Sequence, residues 1–173
     1  MKGILSIDPS GTGTTGLFFT DGKSWETWDF CDSDWEKHLK FFIDLIKEKK
    51  PQTIIFEHTN YVSLHGKDMT SLFKLFGGIK TLSYVFDFLE KVEYLPVNQV
   101  KELRGKIFRQ TKQIKDLIYK VGRGGGWLYE NKKLSLHQLD AFLLYYLWKE
   151  KNEDYFEDKK EVLETEEIAL SNR

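Results

Sequence analysis

Two short apolar segments of the chain each end in a carboxylate, and this feature constrains the fold most. Residues 2–8 (KGILSID) end at Asp8, and residues 53–57 (TIIFE) end at Glu57. Short runs rich in Ile and Phe, bounded by turn residues, are typical of buried strands. Counted along the sequence, these are the first and the fourth strands of the predicted sheet, and such strands are expected to lie side by side. Their terminal carboxylates are therefore expected to lie within a few ångströms of each other.

The remaining segments predict an α/β protein in which helices flank a mixed five-stranded sheet. Turn residues separate the first three strands, which predict an antiparallel meander, and Ser135-Leu-His-Gln138 has the form of a helix-starting capping box. The predicted elements are strands near 2–8, 16–20, 24–31, 53–57 and 92–96, helices over 33–50, 67–90, 111–121 and 135–150, and a glycine-rich loop over 122–126.

Length and composition predict one folded domain over residues 1–150 with an acidic tail over 151–173. The chain has 173 residues, of which 40% are hydrophobic, enough to bury one core. The single cysteine, Cys31, excludes an internal disulfide or a cysteine-rich zinc site. No apolar run approaches the roughly 20 residues that cross a bilayer, and no apolar segment follows Met1. We expect a cytoplasmic protein, from a bacterial or phage-infected cell, that does not bind membranes.

A formal net charge of −1 conceals a basic region. Residues 98–133 contain 10 Lys or Arg and 3 Asp or Glu, and most of the balancing negative charge lies in residues 150–173, which contain 9 acidic and 4 basic residues. Such clustering is typical of a surface that binds phosphate, although a solvated helical face has the same composition. The glycines of 122–126 fit either a phosphate-binding loop or a simple connector.

A third carboxylate, Asp140, lies in the first turns of the last predicted helix, three residues after His137. Taken singly, Asp8 fits a turn residue, Glu57 the end of a strand, and His137 with Asp140 an ordinary helix start. Together, three carboxylates that approach one another repel unless a cation neutralises them. Oxygen ligands with at most one histidine favour Mg²⁺, or Mn²⁺ in its place, over zinc.

Several motifs occur in a fixed order along the chain: 4–10 (ILSIDPS), 14–16 (TTG), 56–57 (FE), 97–112 and 137–141 (HQLDA). Each is similar to a motif of the RuvC-type Holliday junction resolvases of the ribonuclease-H-like superfamily. The first resembles the opening Ile-Asp-Pro-Gly strand, and the last resembles the helix in which Asp or His precedes an Asp-Ala pair. The resemblance extends over nearly all of residues 1–150, and it implies a ribonuclease-H-like fold.

The resemblance also implies a function. It indicates a homodimeric endonuclease that resolves four-way or branched DNA by paired nicks, with two Mg²⁺ ions roughly 3.5 to 4 Å apart. The implied metal ligands, which are also catalytic, are Asp8, Glu57, His137 and Asp140. Lys112 is implied as a further catalytic residue that stabilises charge in the transition state.

The expected DNA contacts come from the basic region and from one aromatic side chain. The resemblance implies that Lys101 and Lys112 face the cleaved strand or its backbone. Tyr61, near the second acidic motif, fits either base stacking or an ordinary surface position in a loop. The predicted DNA-binding residues are Tyr61, Lys101, Arg104, Lys106, Arg109, Lys112, Lys115 and Arg123.

Two other functions fit part of the sequence. Residues 8–16 (DPSGTGTTG) also resemble the first phosphate loop of actin-like sugar kinases and chaperone ATPases. Those proteins bind ATP between two related domains, and this chain lacks a second glycine-rich loop. The other alternative is a branched-DNA-binding relative that has lost catalysis, although all four candidate ligand positions are filled.

Overall fold

A computed structural model describes residues 3–59, 67–123 and 125–152. Five strands form the main sheet, and three short strands form a second, smaller sheet. The elements are β1 (Ile4–Asp8), β2 (Thr14–Thr20), β3 (Trp25–Cys31), α1 (Trp35–Lys49), β4 (Thr53–His58), α2 (Lys67–Thr81), a 3-10 turn (Leu82–Tyr84), β5 (Lys91–Pro96), α3 (Val97–Phe108), β6 (Leu117–Lys120), β7 (Gly126–Tyr129), β8 (Lys132–Lys133) and α4 (Leu136–Lys151).

The main sheet is mixed and has the strand order β3-β2-β1-β4-β5. β1 pairs antiparallel with β2 and parallel with β4, with Ile7 opposite Phe56 and Asp8 opposite Gly16. The predicted mixed five-stranded sheet is confirmed, as is the expectation that the first and fourth strands are neighbours. Asp8 and Glu57 consequently end adjacent strands at the same edge.

Helices cover both faces of this sheet. α1 and α2 pack on the face that contains Leu5, Ile7 and Phe56, whereas α3 and α4 pack on the face that contains Ile4 and Ile55. Because side chains alternate along a strand, Asp8 lies on the side of Ile4, and Glu57 lies on the side of Ile55. Both carboxylates therefore point toward the face that α3 and α4 cover.

The segment between β5 and α4 differs from the prediction. The helix predicted over 111–121 is wrong, because the helix of this region is α3 and it ends at Phe108. The backbone of Gln110 and Asp116 is left-handed, with φ of 58° and 64°, which breaks the helical path. Of the predicted apolar stripe, Ile114 and Leu117 are buried, but Val121 is 90% exposed.

The smaller sheet has the order β6-β7-β8, in which β6 ends at Lys120 and β7, antiparallel to it, begins at Gly126. Positive φ values at Gly122 (113°) and Gly126 (144°) suit glycine in this tight hairpin connection. The long helix predicted over 67–90 is also shorter than expected, since α2 ends at Thr81 and a 3-10 turn follows. Among the described residues, no helix is both long and apolar enough to span a membrane.

Candidate metal and DNA site

The start of α4 is fixed by local hydrogen bonds. The hydroxyl of Ser135 accepts a hydrogen bond from the backbone N–H of Gln138, and the Gln138 side chain accepts one from the N–H of Ser135, both at 3.1 Å. This is the capping box that the sequence predicts, and it satisfies donors that have no partner within the helix. His137 and Asp140 therefore lie in the first two turns of α4.

Close contacts hold those turns against the sheet. A Cβ atom on Gly16 would come within 2.1 Å of the backbone carbonyl carbon and oxygen of His137, so only glycine permits this approach. One turn further, the buried hydroxyl of Ser6 donates a hydrogen bond of 2.8 Å to the carbonyl of Ala141. Because Gly16 pairs with Asp8 in the sheet, these contacts bring His137 next to the end of β1.

Asp8 connects the strand carboxylates to α4. Its Oδ2 lies 3.0 Å from Nδ1 of His137 on one side, and on the other it is close enough to Glu57 to raise the pKa of that carboxyl group. Glu57 is buried, with 8% of its surface exposed, and Asp8 is only slightly more accessible. The structure thus brings Asp8, Glu57 and His137 together as expected.

The electrostatics of this cluster favour protonation. Burial, followed by the hydrogen bond and negative charge of Asp8 and the charge of Asp140, raises the pKa of Glu57 to about 9. Burial also raises the pKa of Asp140 to about 6, against the opposing charge of Arg104. The hydrogen bond with Asp8 raises the pKa of His137. Near neutral pH the cluster therefore binds a proton at Glu57 and has a strong attraction for positive charge.

Two cations on α3 face the carboxylates. Nη1 of Arg104 lies 2.8 Å from Oδ1 and 2.5 Å from Oδ2 of Asp140. Lys101 lies one turn earlier on the same helix, and its charge lowers the pKa of Glu57 against the raising effects. The sequence assigned Lys101 to the cleaved strand or its backbone and Arg104 to DNA binding. The structure places Arg104 against Asp140, with Lys101 near enough for its charge to act on Glu57.

The ligand chemistry of the cluster fits a magnesium ion, although the side chains are not yet arranged around one. Among residues 3–59, 67–123 and 125–152, no three His, Cys, Asp or Glu side chains form a group that could hold a metal ion. Asp140 is directed to Arg104, and burial together with the neighbouring Asp8 raises the pKa of Glu57 to about 9. Hard oxygen ligands that repel one another are nevertheless what Mg²⁺ stabilises, so Asp8, Glu57 and Asp140 fit the ion by their chemistry.

Comparison with known proteins identifies the fold. No protein-family model matches the chain, and no curated protein matches it. RuvC of Thermus thermophilus in complex with Holliday junction substrate matches with a TM-score of 0.54 and 13% identity over 83% of this chain and 90% of that one. A second Thermus thermophilus RuvC structure matches with a TM-score of 0.51 and 14% identity over 82% and 90%. The chain has the RuvC fold. The ribonuclease-H-like architecture and the RuvC resemblance are confirmed at the level of the fold.

Within the RuvC fold of this chain, Lys112 lies away from the carboxylates. Its Nζ contacts both carboxylate oxygens of Glu150, at 2.7 and 2.8 Å. Glu150 follows Asp140 by ten residues on α4, which corresponds to about 15 Å along the helix axis. The structure therefore does not bring Lys112 to the cluster as the catalytic prediction requires, because Glu150 at the far end of α4 binds it.

Four other predicted DNA-binding residues occupy the surface around α3 and the β6–β7 hairpin. Lys106, Arg109, Lys115 and Arg123 are all exposed. Lys106 forms an ion pair with Glu102 one turn earlier on α3. Tyr61 and the acidic tail from residue 153 onward lie outside the described residues.

The Arg104–Asp140 contact gives a prediction about metal binding at the carboxylates. Arg104→Gln removes the cation that competes for Asp140, so we expect Mn²⁺ to bind roughly tenfold more tightly, equivalent to about 1.4 kcal/mol. Isothermal titration of the DNA-free protein measures this. Lys106→Gln, on the same helix but paired with Glu102, is the matched control and should bind Mn²⁺ as the wild type does. Unchanged or weaker binding by Arg104→Gln contradicts the competition.

Proposed function

We propose that this protein is a metal-dependent, structure-selective DNA endonuclease that resolves four-way or branched DNA by paired nicks. The observation that carries the proposal is that Asp8, at one edge of a RuvC-type sheet, lies beside Glu57 and His137, with Asp140 three residues after His137 on α4. Burial and mutual repulsion give this cluster an attraction for cations, and α3 adds positive charge beside it. Nuclease chemistry at a phosphodiester uses both properties.

The proposed metal ligands are Asp8, Glu57, His137 and Asp140, which would hold two Mg²⁺ ions, or Mn²⁺ in their place. When bound, such ions lower the pKa of the attacking water and stabilise the oxygen that leaves the phosphate. Asp8 orients His137 through their hydrogen bond, and the Gly16 contact fixes the position of the helix that contains His137 and Asp140.

The cations on α3 and on the hairpin have a separate role in this proposal. Arg104 would leave Asp140 when metal binds and contact the scissile phosphate, with Lys101 beside it. Exposed side chains such as Lys115 and Arg123 would contact backbone phosphates and set affinity rather than chemistry. Paired nicks across a junction require two such sites, so we propose a homodimer that resolves DNA junctions during recombination and repair.

Cleavage of a synthetic four-way junction tests the proposal. Each strand is labelled in turn and incubated with the full chain and Mg²⁺, and the nick positions are mapped on a sequencing gel. We expect symmetric nicks on opposite strands that leave 5′ phosphates, and no cleavage in EDTA. A linear duplex of the same sequence is the control and should remain intact. Equal cleavage of duplex and junction contradicts branch selectivity, and junction binding without cleavage in Mg²⁺ and Mn²⁺ supports the catalytically inactive alternative.

A further inference from the structure

Two exposed aromatic rings lie together where α3 meets the β6–β7 hairpin. Phe108, the last residue of α3, is 62% exposed, and Tyr119 of β6 is 46% exposed. Their ring centroids are 5.5 Å apart in an edge-on arrangement. Tyr119 in turn packs at 5.0 Å on Trp127 of β7, which is buried in the core. Trp127 therefore holds Tyr119 in place from the side of the core. The pair presents ring surface to solvent, and little side-chain entropy is lost when a ligand binds.

The surroundings of this pair are basic. Residues 103–129 contain seven Lys or Arg and one acidic residue, Asp116. Arg109, Lys115, Lys120 and Arg123 from this segment are all exposed. Aromatic surface bordered by cations is the combination that binds single-stranded nucleic acid, because bases stack on the rings while phosphates pair with the charges. A second copy of this chain fits less well, since the same cations would then face one another.

The pair also lies next to the candidate nuclease site. Phe108 follows Arg104 by four residues on α3, so the two side chains project from the same side of the helix, about 6 Å apart along its axis. Arg104 contacts Asp140 of the carboxylate cluster. A DNA strand that passes the carboxylates can therefore reach the rings within one helical turn.

We propose that Phe108 and Tyr119 form a stacking platform for an unpaired base of the DNA substrate, adjacent to the scissile phosphate. This inference rests on the proposed nuclease function and specifies its substrate: the preferred DNA has an unstacked base at the branch point. The platform is distinct from Tyr61, for which the sequence predicts a stacking role. Phe108 of α3, Tyr119 of β6 and Trp127 of β7 are separated by 11 and 8 positions, and local sequence patterns do not connect them.

Binding without cleavage tests the platform. The full chain in EDTA is titrated into a fluorescein-labelled single-stranded oligothymidine and into a four-way junction that contains 2-aminopurine at the branch point. Phe108→Leu removes the ring and keeps an apolar side chain, and Phe108→Trp keeps a stacking surface. We expect Phe108→Leu to bind the oligonucleotide roughly tenfold more weakly and to lose the quenching of 2-aminopurine, while Phe108→Trp retains both.

Tyr84→Leu is the matched control, because Tyr84 is 88% exposed and lies on the 3-10 turn after α2. It should bind both DNAs as the wild type does. Wild-type affinity and quenching in Phe108→Leu overturn the platform, as does an equal loss in Tyr84→Leu. A loss of self-association in Phe108→Leu, with DNA binding intact, also overturns it and assigns the rings to a protein interface.

The two proposals fail in different ways. If the wild type cleaves junctions in Mg²⁺ while Phe108→Leu binds and quenches normally, the nuclease proposal stands and the platform is overturned. If the wild type binds neither DNA, the nuclease proposal itself fails, and the platform fails with it. Thermal melting of each variant verifies that the fold is retained.

Discussion

Asp8→Asn and Asp140→Asn are expected to remove Mg²⁺-dependent cleavage of a four-way junction while junction binding remains close to that of the wild type. Either change replaces a carboxylate of the cluster with a neutral amide, which is a poor ligand for Mg²⁺. Loss of one group that stabilises transition-state charge typically costs a hundredfold to a thousandfold in rate, roughly 2.7 to 4 kcal/mol. Single-turnover cleavage and a gel-shift titration at one ionic strength measure the two properties separately.

The separation of cleavage from binding follows from where the charges lie. Neither substitution changes Arg109, Lys115 or Arg123, which are exposed on the surface around α3 and the hairpin. Asp44→Asn alters charge by the same amount at an exposed position on α1, and it should cleave and bind as the wild type does. Near-native cleavage by either site variant contradicts the metal assignment. A parallel loss of binding in both variants instead indicates that the fold has been disturbed.

The parts of this site that the sequence predicted are those that depend on local patterns. Short apolar runs identified β1 and β4, and the Ser135–Gln138 capping box located the start of α4. Adjacent strands that end at one edge then placed Asp8 beside Glu57. The close approach at Gly16 required the structure, because nothing local to β2 indicates that the backbone of His137 packs against it.

The prediction failed where the fold depends on distant partners. Ile114, Leu117, Ile118 and Val121 have helical spacing, but β6 forms because it pairs with β7 across a glycine-rich connection. Helical spacing over so few residues cannot exclude an extended strand with a buried end. Because the helix of this region was predicted over 111–121, the prediction missed α3.

The sequence also did not predict which carboxylate each cation of the basic region contacts. Arg104 lies 36 residues from Asp140 and Lys112 lies 38 residues from Glu150, so composition gave no reason to separate their roles. The structure places Arg104 at the carboxylates, whereas Lys112 pairs with Glu150 at the far end of α4. A basic cluster in a sequence therefore predicts a phosphate-binding surface more readily than it predicts which cation takes part in catalysis.

The acidity of the cluster has a consequence for stability. The pKa of Glu57 rises from 4.5 to about 9 on folding, so between these pH values the folded protein binds a proton that the unfolded chain lacks. The free energy of unfolding then decreases as pH rises through this window. The raised pKa values of Asp140 and His137 act in the same direction. We expect the metal-free wild type to melt at a lower temperature at pH 8 than at pH 5.

Glu57→Gln separates this contribution from the rest. The amide has the shape of the protonated carboxyl and does not ionise, so the metal-free variant should be more stable than the wild type at pH 8 and nearly equal to it at pH 4.5. A gain of at least about 1 kcal/mol corresponds to roughly 2 to 4 °C in Tm for a chain of this size. Scanning calorimetry at both pH values, with EDTA and then with Mn²⁺, measures the effect.

Mn²⁺ should raise the Tm of the wild type at pH 8 and have a much smaller effect on Glu57→Gln. Because the same substitution should abolish cleavage, a variant that gains stability and loses activity identifies the buried charge as one that the fold tolerates for its function. A lower Tm for Glu57→Gln than for the wild type at pH 8 contradicts this assignment.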